Sequence, residues 1–431
     1  MGRCAGAHAV SRMPEIWGGV ECTVTRLHGY LCDQIERTGH AERPDDIDRF
    51  ADLGIQRLRL PILWERIEAD GADRPRWHTV DAHLARARDR GVEPIAGLLH
   101  HGTGPSHADI THDDFPERFA AYALRVARRY PWIRYWTPVN EPVTTARFCG
   151  LYAHWYPHGA SDEQFVRLLR VQCEAIVLAV RAIRSVIPDA QYIHTEDVGR
   201  IVATAPLRYQ ATFENQRQCL ALDLIGGHVT VAHPLWPYLC GAGMTVAQRD
   251  WFAAKPLRPD VIAADYYATS DRLLDHDLSR HPTVSHGGNL RHAYADVAWS
   301  TQDDWCPRLE DALVQLSRTY GVPVAVGVVH ANGSAREQLQ WAQQMWSQAQ
   351  QVEARGVQVV GVTFWALLGS YDWSSLLRVD ADHYESGAFD LRSGGLEPTG
   401  VAHFIRSLAR QRRRRGTDRF GPTSEQLALL R

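Results

Sequence analysis

The chain has 431 residues, 45% apolar and 23% charged, an ordinary globular composition with enough length for one large or two ordinary domains. Its 47 basic and 50 acidic residues leave a net charge of −3, which excludes bulk attraction to nucleic acid or to an anionic membrane. No apolar run approaches the roughly 20 residues of a membrane span, and residues 1–12 lack the apolar segment of a secretory leader, so a cytoplasmic protein is expected.

Short apolar runs alternate with helical patterns along the chain. Trp17 to Val24 reads as a strand, Asp45 to Leu53 as a helix ended by Gly54, and Gln56 to Ile62 as the next strand. Val80 to Arg90 is helical, and Ile95 to His100 is a strand ending in His100-His101-Gly102. Asp114 to Tyr130 is amphipathic, with Phe119, Tyr122, Ala123, Val126 and Tyr130 on one face. A strand through Tyr135 and Trp136 then delivers Asn140-Glu141-Pro142, followed by an aromatic loop, Phe148 to Gly159.

In the second half, helices are expected over Asp162 to Ile187, Tyr209 to Ile225, Arg308 to Tyr320, Arg336 to Arg355 and Thr399 to Arg410. The strands between them are Gln191 to Thr195, Val261 to Tyr267, Val322 to Val329 and Val357 to Trp365. Eight apolar strands alternating with helices predict a parallel sheet of the α/β class. The length and the count fit a single (β/α)8 TIM barrel over residues 14–410, with 1–13 and 411–431 as flexible tails. A doubly wound sheet is the structural alternative, but no G-x-G-x-x-G follows the first strand. The eight cysteines are scattered without a C-x-x-C pair and read as reduced core residues.

In such a barrel the working groups lie at the C-terminal strand ends. Reading off those ends gives Glu21, Arg59, His100, Asn140, Glu141, Glu196, Asp265, Tyr267, His330 and Trp365, a polar set that is costly to hold unpaired in a closed pocket. Glu141, held between a strand and Pro142 beside the Asn140 amide, is placed to transfer protons. His100, His101, His107 and His112 match no standard zinc spacing, so neither metal nor other cofactor is expected.

These segments resemble the family 1 glycoside hydrolases. The carrying motifs are Trp17-Gly18-Gly19, Arg59 through Ile67, Gly91-Val92-Glu93-Pro94 through His100, Tyr135 through Pro142, Ala264 through Tyr267, and Trp365-Ala366-Leu367-Leu368 through Trp373. The resemblance implies that Glu141 is the general acid/base. It also implies that His100, Asn140, Trp365, Asp372 and Trp373 hold a sugar-like or glycosylated small molecule. It departs at the family's nucleophile: counting from Pro323 puts Val328 at that position, and matching His330-Ala331-Asn332-Gly333 instead puts Ala331 there. Asp265 stands for an Asn and Asp372 for a Glu.

Retaining hydrolysis requires two carboxyl groups, so the altered pattern leaves several readings. One is an enzyme using Glu141, with Asp265, Glu196 or His330 as second group, on a glycosylated or acetal-containing substrate by inverting, substrate-assisted or non-hydrolytic chemistry. Asp265 is the favoured partner. The others are a pseudoglycosidase that binds sugar without turnover, a hydrolase with a different nucleophile, and a scaffold that uses the barrel as a surface.

Overall fold

The computed structural model describes residues 13–28, 30–301 and 306–417. Eight parallel strands close into a barrel: β1 (Glu15–Gly19), β2 (Arg57–Pro61), β3 (Glu93–His100), β4 (Tyr135–Asn140), β5 (Gln191–Asp197), β6 (Val261–Asp265), β7 (Val324–Val329) and β8 (Val359–Phe364). They pair in sequence order and β8 returns to β1, with Trp17 opposite Thr363. Closure removes the unpaired edges that an open sheet would expose.

Helices cover the outside: α1 (Asp46–Leu53), α2 (His78–Asp89), α3 (Phe115–Arg129), α4 (Asp162–Arg184), α5 (Arg208–Arg217), α6 (Leu309–Tyr320), α7 (Ala335–Ala354) and α8 (Gly400–Thr417). The stripe predicted on α3 is what it buries: Phe119, Tyr122, Ala123 and Val126 are each no more than 1% exposed. Trp64, which follows β2, stacks on Tyr122 and packs against Phe115 and Phe119, tying α3 to the barrel wall. Burial of such a side chain contributes roughly 1.5–3 kcal/mol. Ser334 and Glu337 form a reciprocal capping box that starts α7.

Four expectations change at the level of elements. The first strand stops at Gly19, and a separate hairpin, Val24–Leu27 with Tyr30–Asp33, follows it. The helix expected over Tyr209 to Ile225 breaks into α5 and a short helix, Leu220–Ile225. The last helix passes Arg410 and runs to Thr417, with the Arg412 guanidinium donating to the carbonyls of Met13 and Pro14 at 2.6 Å. Of the expected tails 1–13 and 411–431, residues 1–12 and 418–431 lie outside the described residues, and 411–417 belong to α8. Finally, short strands Ile201–Ala203, Arg272–Asp275, His286–Gly288 and Ala293–Ala298 make a small accessory sheet beside the barrel mouth. Three of these four strands have only three or four residues, too short to carry a periodicity. Among the described residues no helix is long and apolar enough to cross a membrane.

Candidate active site

A cavity of about 270 Å³ opens at the C-terminal ends of the strands. Its wall includes Glu21, His100, Asn140, Glu141, Tyr267, Val328, His330, Trp365 and Trp373, so nine of the positions marked in the sequence meet there. A larger cavity of about 400 Å³ lies elsewhere, between the Tyr30–Asp33 hairpin strand and α2, and shares none of these residues.

β4 presents Asn140 and then turns sharply. Glu141 has φ 44° and ψ 63°, left-handed backbone in a residue that has a Cβ. Such a conformation costs on the order of 1–3 kcal/mol and is held only where surroundings fix it. Here the Glu141 amide donates to the Thr195 carbonyl, its carbonyl accepts from Thr145, and Pro142 opens a short helix, Pro142–Ala146. The side chain is thereby aimed into the pocket, 3% exposed.

Two contacts flank the Glu141 carboxyl: the Tyr267 hydroxyl donates to Oε1 at 3.4 Å, and His101 Nε2 lies 3.9 Å from Oε2. The third neighbour is Asp265, at the end of β6, whose charge acts on the proton affinity of Glu141. Asp265 is fully buried, and neither of its oxygens has a hydrogen-bond partner among the described residues. Two buried carboxylates that repel each other are costly to ionise together, so the pair favours holding one proton between its two members.

Electrostatics decides which group carries it. Burial, then the Asp265 charge, pushes Glu141 well above the usual carboxylate range. Burial also raises Asp265, but the Arg59 guanidinium, 4.0 Å from Oδ1, pulls it back. The balance favours the proton on Glu141 over Asp265.

Arg59 lies beneath the pocket floor rather than in it. Its Nη1 donates to the Gly327 carbonyl at 3.1 Å, its Nη2 donates to Asn140 Oδ1, and its plane lies 4.5 Å from the Trp365 ring. Gly327 sits where the pairing of β7 with β6 slips, between the partners Val326–Ala264 and Val328–Asp265. Such irregularities re-aim groups at active sites. Here the slip points a backbone carbonyl at Arg59, and Val328 lines the pocket beside Asp265.

The remaining wall is aromatic and imidazole. His100 stacks on Trp365 with centroids 5.3 Å apart, and Trp365 Nε1 donates to Glu21 Oε2 at 3.0 Å. A Cβ on Gly19 would fall 2.2 Å from the Trp365 ring, so only glycine admits the indole there. Burial lowers the imidazoles: His100 falls well below the usual histidine range, His101 to about 3 and His330 to about 4. All three are neutral at pH 7. Phe148 and Trp373 close the outer side, with Trp155 behind both at 4.9 and 6.0 Å.

Besides Arg59 and Asp265, neither of which lines the cavity, two residues expected at the substrate are elsewhere. Glu196 points away from the cavity, where its carboxylate accepts from the amides of Val143 at 2.9 Å and Thr144 at 3.2 Å. Burial outweighs those bonds and raises it to about 8. It anchors the helix that follows Glu141. Asp372 accepts from Arg37 at 2.7 Å and from the His383 amide at 2.9 Å, outside the cavity. The sequence reading passed over two pocket residues, Asp197 and His101. Successive strand side chains alternate between faces. Since Glu196 faces outward, Asp197 had to face the pocket, a signal present in the sequence. His101, φ 55°, bridges Asn140 at 3.2 Å and Thr145 at 3.0 Å.

Comparison with known proteins agrees with this geometry. The Glycosyl hydrolase family 1 model matches residues 28–223. An aryl-phospho-β-D-glucosidase of Bacillus subtilis is 23% identical over 391 residues, covering 80% of this chain and 81% of the relative. A 6-phospho-β-galactosidase of Streptococcus mutans is 31% identical over 104 residues, 23% of this chain and 22% of the relative. Among solved structures, a family 1 β-glucosidase from Thermotoga maritima superposes with a TM-score of 0.73 at 14% identity, covering 94% of this chain and 98% of that one. The same organism's β-glucosidase in complex with deoxynojirimycin superposes with a TM-score of 0.75 at 15% identity, over 94% and 99% of the two chains. A barrel of this topology, with a family 1 sequence match over residues 28–223, has a glycoside hydrolase family 1-like fold.

Proposed function

We propose that the protein is an acid/base enzyme acting on a sugar-derived, glycosylated or acetal-containing substrate through the Glu141–Asp265 pair, without a retaining nucleophile. The observation that carries this reading is the pair of buried strand-end carboxyls, Glu141 in the cavity wall and Asp265 without a hydrogen-bond partner beside it, each acting on the proton affinity of the other. The strand β7, which the family resemblance marks for the nucleophile, has the sequence Val324-Ala325-Val326-Gly327-Val328-Val329 and no carboxylate.

A pair sharing one proton suits a different sequence of steps. Glu141 donates its proton to the acetal oxygen as the carbon–oxygen bond breaks. The resulting oxocarbenium centre is stabilised by the pair, now carrying one more negative charge. A hydroxyl of the substrate, or water, then adds to carbon, and its proton returns to the pair. Protons balance, and no covalent enzyme intermediate forms. Positioned acid/base groups of this kind contribute typically 10²–10⁴-fold. Asn140, His100, Tyr267 and Trp365 orient hydroxyls and ring faces around that centre.

Several relatives are named for phosphorylated glycosides. No Arg or Lys lines this pocket among the described residues, so a phosphoryl group finds no counter-charge there. The substrate is accordingly unphosphorylated. The test is turnover of an aryl β-glucoside and of acetal-bearing glycosides by the full chain. Turnover lost in both Glu141→Gln and Asp265→Asn supports the reading. Turnover that survives Asp265→Asn removes Asp265 from the mechanism, and binding of glycosides with no turnover by the unmodified protein favours a sugar-binding pseudoglycosidase.

A further inference from the structure

Four carboxyl groups converge on this one small cavity: Glu21, Glu141 and Asp197 in its wall, and Asp265 directly behind Glu141. The Tyr267 phenol stands among them and feels the charge of all four. The basic side chains in the same wall are the three imidazoles, all buried and neutral. The guanidiniums nearby act from behind. Arg59 is taken up by Gly327, Asn140 and Asp265 under the floor, and Arg147 offsets part of the Asp197 charge from outside the wall.

Acceptor capacity is also in surplus. Asp265 has no hydrogen-bond partner on either oxygen and Glu141 receives only the 3.4 Å bond from Tyr267, while Glu21 accepts from Trp365 and the Thr23 amide and Asp197 from Ser270, fewer than the roughly four donors a carboxylate can accept. A hydroxylated neutral ring supplies one donor per hydroxyl, whereas an ammonium supplies three donors and a full charge. Buried acids without a counter-ion are costly unless a cation arrives with the ligand.

We infer that the substrate carries a positive charge: the pocket takes an amino sugar, or a glycoside of one, with its ammonium held by Asp197 and Glu21, beside the Glu141–Asp265 pair. This rests on the reading of the pocket as a sugar site, and goes beyond it in naming the class. It separates this pocket from sites built for neutral glucosides or for sugar phosphates.

Titration calorimetry with the full chain at pH 6.5 tests it, using methyl β-D-glucosaminide, methyl 6-amino-6-deoxy-β-D-glucoside, methyl β-D-glucoside and glucose 6-phosphate as probes. At least one amine is expected to bind about tenfold or more tighter than the neutral glycoside, the size of one charge-assisted hydrogen bond. Glucose 6-phosphate is expected to bind more weakly than the neutral glycoside. Asp197→Asn and Glu21→Gln, on different strands, should each shrink the amine preference at least threefold. Equal binding of neutral and amino probes, absence of amine binding, or a preference unchanged in both variants overturns the inference. Loss of neutral-glycoside turnover in Glu141→Gln alongside such a result would leave the acid/base reading standing, so the two fail separately.

Discussion

Gly327 makes the room that Asp265 occupies: a Cβ at Gly327 would lie 2.0 Å from Asp265 Oδ1. The two residues sit on neighbouring strands, β7 and β6, where the pairing slips. The carboxylate on one strand and the missing side chain on the other are thus one structural unit. Gly327→Ala should push Asp265 away from Glu141. The expected result is a fall in kcat as large as that in Asp265→Asn, about 10²-fold or more, with a thermal midpoint lowered by only a few degrees. A Gly327→Ala protein with unchanged kcat would show that the placement of Asp265 does not matter.

Glu141→Gln keeps shape and removes the proton donor. Turnover should fall about 10²–10⁴-fold while the affinity for a bound glycoside changes less than threefold, about 0.7 kcal/mol. Steady-state kinetics with separate calorimetric binding checks the split. A parallel loss of binding would instead make Glu141 an orienting group.

Glu196 gives a pH signature of stability. Its folded value is raised to about 8 from an ordinary 4.5, so the native state holds the proton more tightly than the unfolded state does. That contribution is fully present below about pH 4.5 and is lost as pH rises through about 8, at up to roughly 1.4 kcal/mol per pH unit. Urea midpoints at pH 5, 6.5 and 8 should fall in the unmodified protein and fall less steeply in Glu196→Gln. Equal slopes would mean that Glu196 is ionised throughout, its bonds to Val143 and Thr144 outweighing burial.

Arg59 sets which member of the pair is ionised. Arg59→Met removes the one guanidinium 4.0 Å from Asp265. The pair should then release its proton at higher pH, moving the alkaline limb of the kcat profile upward. A limb that stays in place would show that burial alone fixes the protonation.

Much of this was legible in the chain. Eight apolar runs alternating with helices fitted a parallel barrel, with a doubly wound sheet as the alternative, and the strand-end rule collected Glu21, His100, Asn140, Glu141, Tyr267, His330 and Trp365 on one mouth. The misplacements have local causes. Glu196 and Asp197 are adjacent, and which of them faces inward depends on a strand phase that a short apolar run leaves open by one residue. Asp372 was assigned from its place in a motif, but Arg37, more than 300 positions away in sequence, claims it. The accessory sheet depends on pairing between segments as distant as Ile201–Ala203 and Arg272–Asp275, and no local pattern encodes that.

The shared proton is the central claim, and infrared difference spectroscopy reads it directly. The carbonyl stretch of protonated carboxyl groups should be present at pH 7, shift on exchange into D2O, lose its Glu141 component in Glu141→Gln while that of Glu196, raised to about 8, persists, and change in Asp265→Asn. A spectrum at pH 7 in which that band is the same in the unmodified protein and in Glu141→Gln would contradict the account.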